Sequence, residues 1–307
     1  MPSSVERAPT TRVPTLIVHG GAGANPAEAG DYRQGVRDAA LGGWRVLADG
    51  GAALDAVERA VRALEDDPRF NAGRGSVLNR DGVVEVDASI MEGDRLQCGA
   101  VAALSRIANP ITVARRLLES RRQVLLVGEG ALAFARSVGI PECDPAALVT
   151  DRQRQRHAEL ARELATRGDA TRGGGTVGAV ALDRNGTIAA ATSTGGTPGK
   201  LPGRVGDSAL IGCGTYADSS IGGVSCTGDG EAIMRVVLGH RALRYLKDAD
   251  DPDYAAKVAV DLLVDEGGGQ GGLILIDWRG RVGFATSTRL MPVAMMSPTL
   301  DEPRVPF

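Results

Sequence analysis

The chain has 307 residues, a formal net charge of −3, and 43% hydrophobic against 24% charged residues. This balance is typical of a globular protein with one large or two modest domains, without a basic run for a nucleic-acid backbone or an apolar run that could span a membrane. The four cysteines lack CxxC spacing and the first 14 residues are polar. We therefore expect buried thiols, no signal peptide and a cytoplasmic protein.

The first half of the chain is predicted to mix short strands with amphipathic helices. Residues 15–18 form a strand that leads into a glycine loop at residues 19–23. Gly21-Ala22-Gly23 is followed by Ala24-Asn25-Pro26, which lacks the third glycine of a dinucleotide-binding fingerprint. We therefore expect this loop to bring its backbone to an active site, with His19 as a structural hydrogen bonder. Apolar spacing predicts helices at residues 32–48, 52–64, 110–118 and 128–138, and strands at residues 83–91 and 98–104. Residues 151–172 are predicted to be a solvated helix that passes into a flexible linker near residues 167–169.

Three glycines then lead into Thr176, which opens an apolar run predicted to be a buried strand. A threonine at such a junction can attack the carbonyl before it and cut its own chain, because glycine leaves that carbonyl open. The new chain would carry a free α-amine beside a hydroxyl, which together form a nucleophile and its base.

The returning strand, residues 187–194, is predicted to place a second hydroxyl beside the first. With Gly186 in the left-handed region, Leu182 faces Ile188 and Thr176 faces Thr194. The register slips by one if Asn185 and Gly186 form a two-residue turn. An ordinary hairpin with a pair of β-branched residues is the alternative interpretation.

Two further motifs carry groups that suit an amino-acid substrate. Arg204 and Asp207 lie three apart in a glycine-bracketed loop, and together they suit the carboxylate and ammonium of an α-amino acid, although a surface ion pair is the alternative. Thr227 and Gly228 can offer a hydroxyl and a backbone N–H to an oxyanion, although a helix N-cap with Thr227 or Asp229 as the cap is the alternative.

The rest of the chain predicts helices at residues 231–246 and 254–264 and a last hairpin from strands 271–276 and 281–285. Hairpins dominate without regular βαβ alternation. This order favours an α+β sandwich with helices outside two packed sheets.

These motifs together resemble the plant-type asparaginase and isoaspartyl peptidase family of N-terminal nucleophile hydrolases. The matching stretches are Gly-Thr-Val-Gly-Ala-Val-Ala-Leu-Asp from Gly175, Ala-Thr-Ser-Thr-Gly-Gly from Ala191, Leu-Pro-Gly-Arg-Val-Gly-Asp-Ser from Leu201, Ser-Cys-Thr-Gly-Asp-Gly-Glu from Ser225, and the shorter stretches at residues 18–23, 70–73 and 271–274. The resemblance therefore spans nearly the whole chain.

The resemblance implies a single domain over residues 1–307 with a four-layer αββα fold, cut between Gly175 and Thr176 into chains 1–175 and 176–307. It implies a hydrolase that releases aspartate from L-asparagine and β-aspartyl dipeptides without a catalytic cofactor. The resemblance implies that Thr176 is the nucleophile and its α-amine the base, that Thr194 orients Thr176, and that Asn71 lies close to the nucleophile. Thr227 and Gly228 would stabilise the oxyanion. Arg204 would bind the α-carboxylate of the substrate, and Asp207 would bind its α-amine together with the Gly230 carbonyl.

The resemblance also implies a structural sodium ion and a dimer of cleaved protomers. The sodium would bind backbone carbonyls at the positions Leu64, Glu65, Asp67, Phe70, Ala72 and Arg74, which side chains cannot reveal. Three alternatives stay open. A glycosylasparaginase usually carries Asp before the scissile threonine, where this chain has Gly175. A nucleotide-binding protein would need the incomplete phosphate loop at Gly199 and Lys200. The last is a relative that never cuts itself.

Overall fold

The computed structural model describes residues 12–167 and 175–306, so the linker predicted at residues 168–169 lies outside the described residues. The described strands are β1 Thr15–His19, β2 Val86–Glu92, β3 Gln97–Leu104, β4 Leu125–Val127, β5 Val177–Leu182, β6 Ile188–Thr194, β7 Thr215–Asp218, β8 Gly222–Gly228, β9 Gly271–Asp277, β10 Val282–Thr286 and β11 Val293–Met296. The described helices are α1 Ala29–Ala48, α2 Ala53–Asp66, α3 Pro110–Ser120, α4 Gly128–Ser137, α5 Pro145–Leu148, α6 Asp151–Arg167, α7 Gly230–Val236, α8 Leu238–Ala249 and α9 Pro252–Asp265.

The strands form two sheets that pack face to face. One sheet has the order β11-β1-β5-β6-β2-β3-β4 and the other β10-β9-β8-β7. Every pairing is antiparallel except β3 with β4. Ile17, Val180, Ile188 and Ile274 belong to the apolar cluster between the sheets. The α+β sandwich predicted from the sequence is thus confirmed.

Helices cover both outer faces, which completes the four layers. Because side chains alternate along a strand, Val177, Ala179 and Ala181 of β5 face the same side of the sheet. They pack in an apolar cluster with side chains of α1, α2 and α3. The smaller sheet packs in the same way against α7, α8 and α9. None of the helices in the described ranges combines the length and apolar character needed to cross a membrane.

The hairpin of β5 and β6, whose turn contains Gly186, has the predicted register. Leu182 pairs with Ile188 and Val177 with Ser193, and Gly186 has a left-handed φ of 88°. Buried Asp183 holds the turn because one carboxylate oxygen accepts N–H groups of Asn185 and Thr187 at 2.9 and 3.1 Å. This register brings the side chains of residues 176 and 194 to the same end of the inner face.

The predicted helix over residues 231–246 is wrong as one element. Val237 adopts a left-handed φ of 51° and divides it into α7 and α8. The backbone N–H groups of Gly239 and His240 donate to the carbonyls of Cys213 and Gly212 instead of continuing the helix. Tertiary hydrogen bonds therefore outweigh the local helical pattern.

Several short elements and one burial prediction also differ from the sequence interpretation. Strands β4, β7, β8 and β11 and the helix α5 were not predicted, since they are short or glycine-rich and leave no clear period. The four cysteines are free, but only Cys226 is buried, while Cys98, Cys143 and Cys213 are partly exposed. The prediction of buried thiols is therefore wrong for three of the four.

Candidate active site

Thr176 lies at the start of β5, where its side chain enters the space between the two sheets. The residue is 6% exposed, and its Oγ1 donates to Thr194 Oγ1 at 3.2 Å. Thr194 Oγ1 also accepts the N–H of Gly196 at 2.9 Å. The second hydroxyl thus holds the first in a fixed orientation.

Two donors reach the carbonyl oxygen of Gly175, the residue before Thr176. Asn71 Nδ2 lies 2.8 Å from this oxygen and Thr194 Oγ1 lies 3.1 Å from it. Gly175 itself has a φ of +28°, which a residue with a side chain rarely adopts. Both donors are placed to stabilise negative charge that develops on this oxygen during attack.

Asn71 is held by three further hydrogen bonds of the surrounding loops. Its Oδ1 accepts the N–H of Val77 at 2.8 Å, and its Nδ2 also donates to the carbonyl of Gly196 at 2.8 Å. The N–H of Gly195 donates to its backbone carbonyl at 3.0 Å. These contacts fix the side-chain amide in the orientation that presents Nδ2 to Gly175.

The glycine loop after β1 passes directly against the peptide bond between Gly175 and Thr176. A Cβ on Gly21 would lie 2.8 Å from the backbone nitrogen of Thr176, and the φ of Gly21 is +104°. The next residue, Ala22, donates its N–H to Thr227 Oγ1 at 3.0 Å. Glycine is required here because neither the space nor the backbone angle admits a side chain.

His19, on β1, is a buried hydrogen bonder rather than an exposed base. Its Nε2 lies 2.9 Å from Ser225 Oγ, and burial lowers its pKa to about 3. Ser225 is the first of a run of buried hydroxyls between the sheets, which continues through Thr192, Thr215 and Ser89 at 2.6 to 2.8 Å. Sequence reasoning missed this run because its members come from four different strands.

A small cavity collects most of the predicted site residues. We call it the aspartyl cavity; its lining residues are Gly175, Thr176, Thr194, Gly196, Thr197, Arg204, Asp207, Gly228 and Gly230. Its volume is about 10 Å³, which is room for about one water molecule. Thr227 and Asn71 lie outside this lining. Asn71 donates to the carbonyls of two lining residues, Gly175 and Gly196, and Thr227 directly precedes the lining residue Gly228.

Arg204 is fixed by a partner that the sequence analysis did not assign. Its Nε and Nη2 donate to the two carboxylate oxygens of Glu231 at 2.9 and 2.8 Å. The surface pairing of Arg204 with Asp207 that we considered is therefore replaced by a fork to Glu231. A guanidinium has five N–H donors, so this fork orients Arg204 and leaves donors for a second carboxylate. The sequence signal for this partner was Glu231 itself, which is the last residue of the motif at residues 225–231.

Asp207 offers the opposite charge at the same cavity. The residue is 4% exposed, and burial raises its pKa to about 7, although the positive charge of Arg204 opposes the rise. Among the described residues, no hydrogen bond reaches its Oδ2. A Cβ on Gly230 would lie 2.9 Å from both Arg204 Nη2 and Asp207 Oδ1. The absence of a side chain at residue 230 therefore keeps both charged groups accessible.

The phosphate-loop alternative does not fit the geometry around Lys200. This side chain is 4% exposed, and its Nζ donates to the carbonyl of Glu85 at 2.8 Å. A lysine held by a buried carbonyl cannot reach a phosphate in a surface loop. The structure therefore gives no support to a nucleotide site at Gly199 and Lys200.

In the loop after α2, backbone carbonyl oxygens lie close to two glycines, Gly73 and Gly75. A Cβ on Gly75 would lie 2.7 Å from the carbonyl oxygen of Phe70, and a Cβ on Gly73 would lie 2.7 Å from that of Glu65. Burial raises the pKa of the Glu65 side chain to about 8, so this carboxyl is protonated at neutral pH. Such carbonyl oxygens fit the preference of a hard cation. Within residues 12–167 and 175–306, no cluster of three or more His, Cys, Asp or Glu side chains could hold a metal ion.

Comparison with known proteins gives a consistent result across the chain. The family model described as Asparaginase matches residues 12–302. An isoaspartyl peptidase/L-asparaginase of Xenopus laevis is 47% identical over 279 residues, covering 89% of this chain and 90% of that protein. The corresponding protein of Homo sapiens is 46% identical, covering 87% and 88%. A plant-type L-asparaginase of Thermococcus kodakarensis is 44% identical over 305 residues, covering 94% and 98%.

Proposed function

Because the chain belongs to the asparaginase family, we propose that it is an L-asparaginase and isoaspartyl peptidase that activates itself by cutting its own backbone. It hydrolyses the side-chain amide of L-asparagine and the β-aspartyl bond of dipeptides. The observation that carries this proposal is the hydrogen bonding of the Gly175 carbonyl by Asn71 and Thr194, with the Thr176 hydroxyl bonded to Thr194. Denaturing electrophoresis tests the cut, and release of aspartate from both substrates tests the activity.

In the first reaction, Thr176 Oγ1 adds to the carbonyl carbon of Gly175 and passes its proton toward Thr194. The negative charge that forms on the carbonyl oxygen is stabilised by Asn71 Nδ2 and Thr194 Oγ1. The C–N bond then breaks, the nitrogen of Thr176 takes up a proton, and an ester links Gly175 to the Thr176 oxygen. Water hydrolyses this ester to give a Gly175 carboxylate and a free Thr176 α-amine.

In the second reaction, the free α-amine of Thr176 accepts the hydroxyl proton while Oγ1 attacks the side-chain carbonyl of an aspartyl substrate. Arg204 binds the α-carboxylate of this substrate, and Asp207 binds its α-ammonium with the Gly230 carbonyl. The oxyanion is stabilised by Thr227 and the N–H of Gly228. Ala22 already uses an acceptor site of the Thr227 hydroxyl, which leaves the hydroxyl proton to donate. Ammonia or an amino acid leaves with a proton, and water hydrolyses the aspartyl ester.

Asn71→Asp should slow self-cleavage by roughly 10²-fold to 10³-fold, because it removes one donor to the developing oxyanion. The substituted carboxylate can still accept the N–H of Val77, so the loop keeps that bond. The fraction of cleaved chain is measured over time by denaturing electrophoresis. Asn79→Asp is the matched control, since its Oδ1 also accepts backbone N–H groups but it does not contact Gly175. Wild-type cleavage by Asn71→Asp would contradict the role.

The pH dependence should separate the two titrating groups. Asp207, with a pKa of about 7, loses its charge as the pH falls and then cannot pair with a substrate ammonium. The Thr176 amine, with a reference pKa of about 8, must be neutral to act as base. We expect log kcat/KM for L-asparagine to fall with a slope near one below about pH 8 and near two below about pH 7. A slope that stays near one down to pH 5 would contradict the raised pKa of Asp207.

We also propose a structural sodium ion held by the carbonyls of Leu64, Glu65, Asp67, Phe70, Ala72 and Arg74. The convergence of the Glu65 and Phe70 carbonyls on two glycines supports it. The melting temperature should be about 2–4 °C higher in sodium chloride than in tetramethylammonium chloride of equal ionic strength, because bound ion stabilises the folded state. Equal melting temperatures would contradict the site.

The cleaved protomer is further proposed to be a cytoplasmic protein that pairs into a dimer. The four free cysteines support a reducing compartment. The substrates are small amino acids or peptides, so the proposal includes no nucleic-acid or membrane partner. The mass of the mature protein in solution distinguishes a dimer from a single cleaved protomer.

A further inference from the structure

Gly175 also lines a second and much larger cavity of about 490 Å³. We call it the arginine cavity, after three arginines in its wall. It is bounded by the glycine loop after β1, by the residues around Asn71 and by α6. The three arginines are Arg69, Arg152 and Arg156. A volume of this size is that of a small-molecule site, whereas the aspartyl cavity leaves room for about one water.

Two of the three arginines already have a carboxylate partner. Arg69 pairs with Asp67, and Arg152 pairs with Glu28 at 3.3 Å. Across the described part of the chain, no carboxylate forms an ion pair with Arg156. Desolvation and the positive charge of Arg152 lower the pKa of Arg156. Arg156 therefore supplies a positive charge to the cavity that no ion pair within the described chain neutralises.

One acidic side chain in the same cavity wall opposes the positive charge of Arg156. Glu159 lines the arginine cavity one helical turn after Arg156, and the two side chains form no ion pair within 4.0 Å. Glu159 repels any anion that approaches Arg156, so removal of its charge should strengthen anion binding. The two residues thus predict effects of opposite sign at one site.

The position of Gly175 connects the two cavities along the path of a substrate. Arg204 and Asp207 hold the α-groups of the aspartyl moiety, and its side-chain carbonyl must reach Thr176 Oγ1. The leaving group then extends from this carbonyl away from the aspartyl cavity. Gly175 lines both cavities next to Thr176, and cleavage removes the covalent bond that keeps it there.

We propose that the arginine cavity binds the α-carboxylate of the amino acid that leaves from a β-aspartyl dipeptide, with Arg156 as its charge partner. The inference rests on the proposed function. L-asparagine releases ammonia, which has no carboxylate, so the cavity acts on peptide substrates alone. The cavity therefore determines specificity between the two substrate classes.

The test compares three substrates in fully cleaved enzyme: L-asparagine, β-aspartyl-leucine, and β-aspartyl-leucinamide, in which the terminal carboxylate is replaced by a neutral amide. Arg156→Gln should lower kcat/KM for β-aspartyl-leucine about fivefold to tenfold and leave the other two substrates within twofold. Arg154→Gln is the matched control, because Arg154 lies on the same helix, pairs with Asp151 and does not line the cavity. Glu159→Gln should raise kcat/KM for β-aspartyl-leucine alone.

Two results for Arg156→Gln would overturn the inference. One is an equal loss of kcat/KM for all three substrates, and the other is an unchanged ratio of kcat/KM for β-aspartyl-leucine to that for β-aspartyl-leucinamide. Hydrolysis of L-asparagine reports separately on the proposed function. If the wild-type enzyme hydrolyses L-asparagine but Arg156→Gln leaves the ratio of the two kcat/KM values unchanged, the proposed function stands and the proposed subsite is wrong. If cleaved wild-type protein hydrolyses none of the three substrates, the proposed function fails first.

Discussion

Thr176→Ala should yield a single chain of 31.7 kDa that stays uncut and lacks hydrolytic activity. The substitution removes the nucleophilic atom of both proposed reactions, in which Thr176 Oγ1 attacks Gly175 first and the substrate afterwards. Loss of a covalent nucleophile costs roughly 10⁴-fold or more in rate. Denaturing electrophoresis and aspartate release over several days measure the two effects in the same sample.

Two variants make this result interpretable. Thr176→Ser keeps the hydroxyl and should still cut, at a lower rate, because the serine side chain is less restricted at χ1. Thr187→Ala lies on the same hairpin, where its hydroxyl bonds only the exposed Asp94, and it should behave as wild type. Hydrolysis of β-aspartyl dipeptides by Thr176→Ala at near the original rate would refute the N-terminal nucleophile mechanism.

Asp207→Asn should separate the two reactions, because it leaves self-cleavage intact and abolishes efficient hydrolysis. Among the described residues, the Gly175 carbonyl and the Thr176 hydroxyl form hydrogen bonds with Asn71 and Thr194 and not with Asp207. In the proposed second reaction its carboxylate pairs with the substrate ammonium in a buried site. Removing one partner of such a pair costs about 3–5 kcal/mol, or roughly 10²-fold to 5 × 10³-fold in kcat/KM.

The measurement is kcat/KM for L-asparagine, normalised to the cleaved fraction of each preparation. Asp218→Asn serves as the control, because its carboxylate accepts the N–H of Ser220 in a turn that does not line the aspartyl cavity. If Asp207→Asn binds L-asparagine as tightly as wild type, the α-ammonium is recognised elsewhere. If it fails to cut itself, Asp207 has a role in the first reaction that the intact geometry does not indicate.

The hairpin around Gly186 was predictable because its determinants are local. An alternating apolar pattern, a turn sequence and one glycine fix the register, and this places Thr176 opposite Thr194. The helices α2, α3 and α9 were likewise predicted to within a few residues, since their apolar residues repeat at helical spacing. The division at Val237 was not predictable, because it depends on carbonyls of a distant loop.

The site shows the same division between local and long-range determinants. Arg204, Asp207 and Thr176 stand in motifs whose chemistry can be interpreted from residue types alone. The fork from Glu231 to Arg204 joins residues 27 positions apart, and the bond from Asn71 to Gly175 joins residues 104 positions apart. No periodicity or turn rule encodes such contacts. Only the resemblance pointed to Asn71, and Glu231 stood in a matching motif without an assigned partner.

The small volume of the aspartyl cavity has a consequence for how the protein behaves over time. The intact chain has room for about one water molecule beside Arg204 and Asp207, so under the proposed self-cleavage each molecule would be synthesised in a latent form that does not admit asparagine. Freshly made protein would then be a mixture whose specific activity increases with age. Catalytic output in the cell then depends on the maturation rate as well as on the amount of protein made, and the delay between synthesis and turnover is set within the chain itself.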